Sequence, residues 1–257
     1  MNRAAAAPAT RHWVPYAIGA ALLIAATIVA YLPAFDAGWF IMDHGVFVTD
    51  NPLIHAADGL RRFWFTREAT DYWPVTSSTL WLEWRVWGMN AAGNHVTNLV
   101  LHLTNAFLLW GLLRRLKVPG AYLGVLLFAL HPLNVESVAW ITERKNLVAM
   151  LFFLLSIWAF LAAEDGDDAR RIRRWSTASL IAFALAMLSK GSVVFLPLVL
   201  LGIVAWRRRP TRADLGRLLA AGALTAVLWH FRRTWSRPGL FAWGYFCAAL
   251  LRAQGPK

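Results

Sequence analysis

Apolar and polar positions alternate along this chain in long blocks, not residue by residue. Residues 13–35 are almost purely apolar, and a run of that length can span a bilayer at roughly 20 residues per crossing. Further apolar runs follow at residues 94–113, 120–130, 146–163, 175–188 and 193–206, with shorter ones at 215–229 and 239–251. Blocks of this kind predict an all-α, polytopic transmembrane helical protein with six to eight spans. The polar interruptions carry sign. Residues 36–93 form the one long polar segment and hold Asp36, Asp43, Asp50, Asp58, Glu68, Asp71 and Glu83 against Arg61, Arg62, Arg67 and Arg85, an imbalance that places it outside. Within it, residues 76–87 read as a helix with Leu80, Trp81, Trp84 and Trp87 along one side, expected to lie on the outer membrane surface. The basic clusters Arg114-Arg115-Leu-Lys117, Arg170-Arg-Ile-Arg-Arg174 and Arg207-Arg-Arg209 all fall on the inner side by counting. The run His230–Arg237 is basic yet falls outside by the same count, so the rule fails there.

Composition sharpens this picture. Hydrophobic residues make up 58% of the chain and charged residues 16%, more apolar surface than a soluble domain of this size hides. The 15 tryptophans suit a membrane–water boundary. A net charge of +12 invites a nucleic-acid reading, but the cations cluster in short segments between apolar runs, the pattern of cytoplasmic loops. The single cysteine, Cys247, excludes an intrachain disulfide and a cysteine metal cluster. The organisation expected is a cytoplasmic head at 1–12, a transmembrane domain at 13–206 and an irregular membrane segment at 207–257, in the cell inner membrane with the N-terminus cytoplasmic. The first run is longer than a signal-peptide core and reads as an uncleaved anchor.

Chemistry concentrates in His131-Pro-Leu-Asn-Val-Glu-Ser-Val-Ala-Trp-Ile-Thr-Glu-Arg-Lys145, wedged between two apolar runs. Ionisable groups so close to a bilayer need a reason. By the topology above, the Asp43 region, this cluster and Lys190 face one aqueous surface. Such a set suits a sugar phosphate on a lipid carrier: a carboxylate takes a proton from an acceptor hydroxyl and cations stabilise the leaving phosphate. Each residue also has a plainer reading. Asp43 is a loop acid or helix cap, Asp71 a turn residue, and Lys190 a lysine snorkelling to the interface. His131 reads as a buried, hydrogen-bonded structural histidine. Helical spacing across 135–144 puts Glu136, Trp140, Glu143 and Arg144 on one side, which fits a sugar stacked on Trp140 or an interfacial helix with salt bridges. His95 and His102, seven apart on one span, lack a third ligand at fitting spacing and read as helix packing, with no metal expected.

The same residues carry a family resemblance. The segment from His131 to Asn146 resembles the HPLHVESVAWVAERKD signature of bacterial membrane proteins with C-terminal tetratricopeptide repeats, similar to the eukaryotic transmembrane and tetratricopeptide repeat O-mannosyltransferases. Phe47-Val-Thr-Asp-Asn-Pro-Leu-Ile54, Tyr72-Trp-Pro-Val-Thr76, Asn94-His-Val-Thr-Asn-Leu-Val-Leu-His102 and Leu188-Ser-Lys190 with Leu196-Pro197 resemble further family segments in order. The resemblance implies the GT-C fold and transfer of a sugar, typically mannose, from a polyprenyl phosphate to an acceptor, here protein hydroxyls. The implied partners are the bilayer, that lipid-linked donor and the protein acceptor, with no nucleic acid and no certain cofactor. Asp43 matches the first acid of a family Asp-Asp pair and is the implied base; the second position is His44. The roles assigned are phosphate binding for Arg144, Lys145 and Lys190, and sugar orientation for Glu136 and Trp140, with His131 in the same substrate-binding set. Trp235–Phe246 looks like a segment normally far downstream, so an internal deletion and an early stop are expected, and no repeats are present. Two other readings compete: an inactive fragment or pseudoenzyme serving as a scaffold, and a transporter or lipid-handling protein, which predicts polar groups at mid-membrane depth and pseudo-symmetric halves.

Overall fold

The computed structural model describes residues 14–36, 38–39 and 44–230. Among these the chain is helical and without strands. It runs α1 (Val14–Tyr31), α2 (Pro52–His55), α3 (Gly59–Phe65), α4 (Pro74–Trp87), α5 (Ala91–Arg115), α6 (Ala121–Leu130), α7 (Val135–Ala139), α8 (Arg144–Glu164), α9 (Ala169–Ser189), α10 (Leu196–Arg207) and α11 (Arg212–His230). Three segments, Val14–Asp36, Ala91–Arg115 and Ile141–Glu164, are long and apolar enough to cross a membrane; α6 with Pro132–Ala139 makes a fourth if that pair, bent by 51°, is one span. The six to eight expected spans counted every apolar run. Of the remainder, α9 opens on four arginines and α10 has only 12 residues, while the run at 239–251 lies outside the described residues.

Local chemistry sets the helix ends. The Asn90 side chain accepts the Gly93 N–H at the start of α5, and Asp168 accepts those of Arg170 and Arg171 at the start of α9. Proline opens α2 and α4, where its missing N–H costs nothing. The core sits between α8 and α9, an antiparallel hairpin packed through Leu154, Ile157, Phe160, Phe183 and Met187. Ser156 and Ser179 bridge it reciprocally, each hydroxyl donating to the other's carbonyl at 2.8 and 2.9 Å. Small residues let helices approach closely in a membrane: at Gly111 on α5, a Cβ would lie 2.9 Å from the Trp158 ring on α8.

A polar stripe runs down the buried face of α5: Asn94, His95, Asn98, His102 and Asn105. It answers carbonyls of neighbouring helices, those of Ala129 and Val138 lying at helix ends. Asn98 donates to Val138 O at 3.1 Å, His102 Nε2 to Ala129 O at 2.9 Å, and Asn105 to Leu147 O at 2.9 Å. Irregular backbone at this depth is tolerated because protein, not lipid, supplies the partners. The segment from Asn94 to His102 thus serves helix packing, and His102 acts as expected.

Helix directions alternate. Tyr16 at the start of α1 lies under the Arg114 guanidinium at the end of α5. Asp165, just past α8, pairs with Arg115 at 2.7 Å and Arg207 at 3.3 Å. One end of the bundle is therefore arginine-rich. At the opposite end lie the starts of α5 and α8, the end of α9, and α2–α4.

One element is turned from its expected orientation. The buried residues of α4 are Pro74, Val75, Thr76, Leu80 and Glu83. Trp81 and Trp84 instead pack toward α2 and α3, Trp81 donating to Ala56 O at 3.0 Å and Trp84 meeting the His55 ring edge-on. The exposed apolar residues of this stretch are Leu82, Val86, Trp87 and Met89. Trp81 and Trp84 are claimed by the polar segment's own small core, while Trp87 is left outward with the aliphatic side.

Candidate active site

The turn from α6 to α8 is built from sharp breaks. His131 leaves the helix in an extended conformation, its Nδ1 accepting the Leu133 N–H at 3.2 Å. The side chain is exposed, so His131 is a cap on the surface and not the buried histidine expected; proline at 132 ends the preceding helix and leaves the ring outside. The helix expected across 135–144 is also interrupted. It ends at Trp140, whose backbone is extended, and a 3-10 turn at Ile141–Glu143 leads into α8. Glu136 stays exposed while Glu143 and Arg144 turn inward, so the four do not share one side.

Arg144 is fully buried. Its guanidinium pairs with Glu83 of α4, donates from Nε to Asn98 Oδ1 at 2.7 Å and donates to Asn94 O at 3.0 Å. The expected phosphate contact does not fit this geometry, because the side chain is enclosed by α4 and α5 with oxygens on three of its donors. Arg144 is a strut joining α4, α5 and α8.

The neighbouring lysine points elsewhere. Lys145 Nζ lies 2.5 Å from Glu143 Oε1, 4.7 Å above the Trp73 ring and 6.0 Å from that of Phe47. Lys190, 45 residues on in the turn after α9, reaches the same carboxylate: its Nζ is 3.6 Å from Glu143 Oε2 and bonds the Asn146 side-chain oxygen. Asn146 donates in turn to Glu143 at 2.7 Å and to Ser137 at 3.0 Å. Burial pushes the Lys190 ammonium below the ordinary lysine value, with the negative charges of Glu143 and Glu136 holding it up and Lys145 pushing it down. Two of the three expected cations therefore meet at the start of α8, within electrostatic reach of Glu136. Trp140 is half-buried at the helix break, where its carbonyl accepts from Asn98 at 3.4 Å.

Beside this cluster lies a cleft lined by Phe47, Asn51, Asp71, Trp73, Thr76 and Thr142. Asp71 is half-buried there, and burial raises its carboxyl above the usual range while Lys145 pulls it back. Treating Asp71 as a turn residue passes over this placement; its signal in the sequence was the adjoining Trp-Pro-Val-Thr run. Asp43 lies outside the described residues. His44 is buried, its ring edge-on to Trp39 with centroids 5.4 Å apart.

Residues 71–250 match the family model for dolichyl-phosphate-mannose-protein mannosyltransferase. The chain belongs to this mannosyltransferase family. Among curated relatives it is 29% identical over 151 residues to protein O-mannosyl-transferase F38B6.6 of Caenorhabditis elegans, covering 53% of this chain and 22% of that protein. It is 30% identical over 192 residues to human protein O-mannosyl-transferase TMTC4, covering 63% and 26%. To human TMTC3 it is 23% identical over 177 residues, covering 65% and 19%. The chain thus spans about a fifth to a quarter of the length of these relatives. No solved structure matches it. The all-helical membrane architecture is of the GT-C-like kind that membership of the mannosyltransferase family calls for.

Proposed function

We propose that this chain transfers a mannosyl group from a polyprenyl phosphate to a protein hydroxyl at the end of the bundle that holds Lys145 and Lys190, on the outer face of the cell inner membrane. The observation that carries the reading is the convergence of these two lysines on Glu143 at the start of α8. Two ammonium groups against the single carboxylate of Glu143, the N-cap residue of α8, leave positive charge beside a helix N-terminus, an arrangement that attracts an anion. The lipid phosphate is an anion delivered at this depth. In the transfer, the bond from the sugar C1 to the phosphate oxygen breaks and the bond from C1 to the acceptor oxygen forms. Asp43 takes the acceptor proton. Lys145 and Lys190 neutralise the charge that develops on the departing polyprenyl phosphate. Glu136, within electrostatic reach of Lys190, orients the sugar together with Trp140, and exposed His131 lines the approach.

The test is mass spectrometry of acceptor proteins from cells expressing the parent, Asp43→Asn or Lys145→Gln/Lys190→Gln, paired with donor binding. Asp43→Asn is expected to lower turnover by roughly 100-fold with little change in donor affinity. The double lysine variant is expected to weaken donor binding by roughly ten- to hundred-fold. Parental transfer by Asp43→Asn would remove it as the base, and a parent without transfer to any acceptor would mark an inactive fragment.

A further inference from the structure

The two lysines come from segments far apart in sequence, yet both backbones are fastened to one element. Thr76 in the first turn of α4 donates its hydroxyl to Ser189 O at 3.1 Å, one residue before Lys190, and both residues are buried. Glu83, two turns on along the same helix, holds Arg144, one residue before Lys145. Trp73, which caps α4, lies beneath the Lys145 ammonium. Leu80, Trp81 and Trp84 separately pack α4 on the polar segment's own core against α2 and α3.

We propose that α4 is the positioning element of the phosphate site, with Thr76 and Glu83 as the positioning residues that set Lys190 and Lys145 against each other. This rests on the reading of the two lysines as phosphate ligands. Two ammonium groups brought to one carboxylate repel each other, so each is held from behind by its backbone as well as from the front by Glu143. Thr76 fixes the turn that carries Lys190 and Glu83 fixes the first residue of α8. A shift of α4 would move both lysines together, which connects the acidic outer segment, the surface an acceptor meets first, to the lipid phosphate.

Thr76 provides the clean test, because Thr76→Val keeps the shape and removes only the hydroxyl, whereas Glu83→Gln exposes buried Arg144 to misfolding. The dissociation constant of a mannosyl polyprenyl phosphate and the unfolding midpoint are measured on the full chain in detergent for the parent, Thr76→Val, Thr76→Ser and Lys190→Gln. Thr76→Val should weaken donor binding by roughly fivefold to tenfold, the scale of one hydrogen bond, with Thr76→Ser restoring it. A Thr76→Val protein that binds donor as the parent does while Lys190→Gln binds weakly overturns the positioning role. So does weakened binding that Thr76→Ser fails to rescue, or that appears only alongside a large fall in the midpoint. Parental binding by Lys190→Gln overturns the phosphate reading itself, and the role of α4 with it.

Discussion

At the scale of single residues, burial decides which cations can work. Arg144 and Lys145 are adjacent in sequence and were assigned the same role, yet one is enclosed in oxygen ligands and the other stands in an aromatic and acidic cluster. Nothing in the run Glu-Arg-Lys distinguishes them, because the partners that decide, Glu83 and Trp73, lie some sixty to seventy residues earlier. Lys190 offers a measurable consequence. Its folded pKa lies below the ordinary lysine value, chiefly through burial, so it loses its proton at a pH where an exposed lysine keeps it. Donor affinity should fall as pH rises through that lowered value. Stability should move oppositely: between the folded and the unfolded value the unfolded chain binds more protons, so stability gains with rising pH across that window. Lys190→Arg, which stays charged, should abolish this alkaline loss of affinity. Donor titrations across the alkaline range decide it, and an arginine variant with the parental profile would clear Lys190 of responsibility.

At the scale of elements, the long apolar runs were legible because hydropathy acts residue by residue. Residues 94–113, 146–163 and 175–188 fall inside α5, α8 and α9. The break at Trp140 was not legible, because helical spacing was carried through a stretch whose carbonyls are met by Asn98, 42 residues away. The face of α4 was misjudged similarly: the Trp81 N–H finds its acceptor at Ala56, which the periodicity of α4 alone does not encode. The buried polar network joining these elements predicts strong non-additivity. Removing one partner of a buried ion pair leaves a charge without compensation, at about 3–5 kcal/mol, whereas an apolar pair of similar volume is close to neutral. Arg144→Met and Glu83→Leu should each destabilise the chain severely, and the double variant should recover much of the loss. Unfolding measured in detergent for the four proteins closes that cycle. Simple additivity would show that the pair does not act as the strut between α4 and α8.

At the scale of the whole molecule, the charge pattern and the helix directions agree. The clusters at Arg114–Lys117 and Arg207–Arg209 come together near Asp165, and the acidic segment packs at the other end over the lysine pair. On the proposed reading, positive charge is retained on the cytoplasmic side and the candidate site lies outside. Asp58 stands just before α3 at the site end and Asp167 lies in the turn between α8 and α9; their side chains are 63% and 82% exposed, so protein does not shield either. Once Cys247 is replaced by serine, a cysteine at Asp58 should react with an impermeant thiol reagent in intact cells. One at Asp167 should react only after the membrane is opened. Because both positions are open within the fold, a difference in labelling reports the membrane alone. Labelling of Asp167 but not Asp58 would invert the bundle and put the lysine pair on the cytoplasmic side, where a donor presented on the outer leaflet could not reach it.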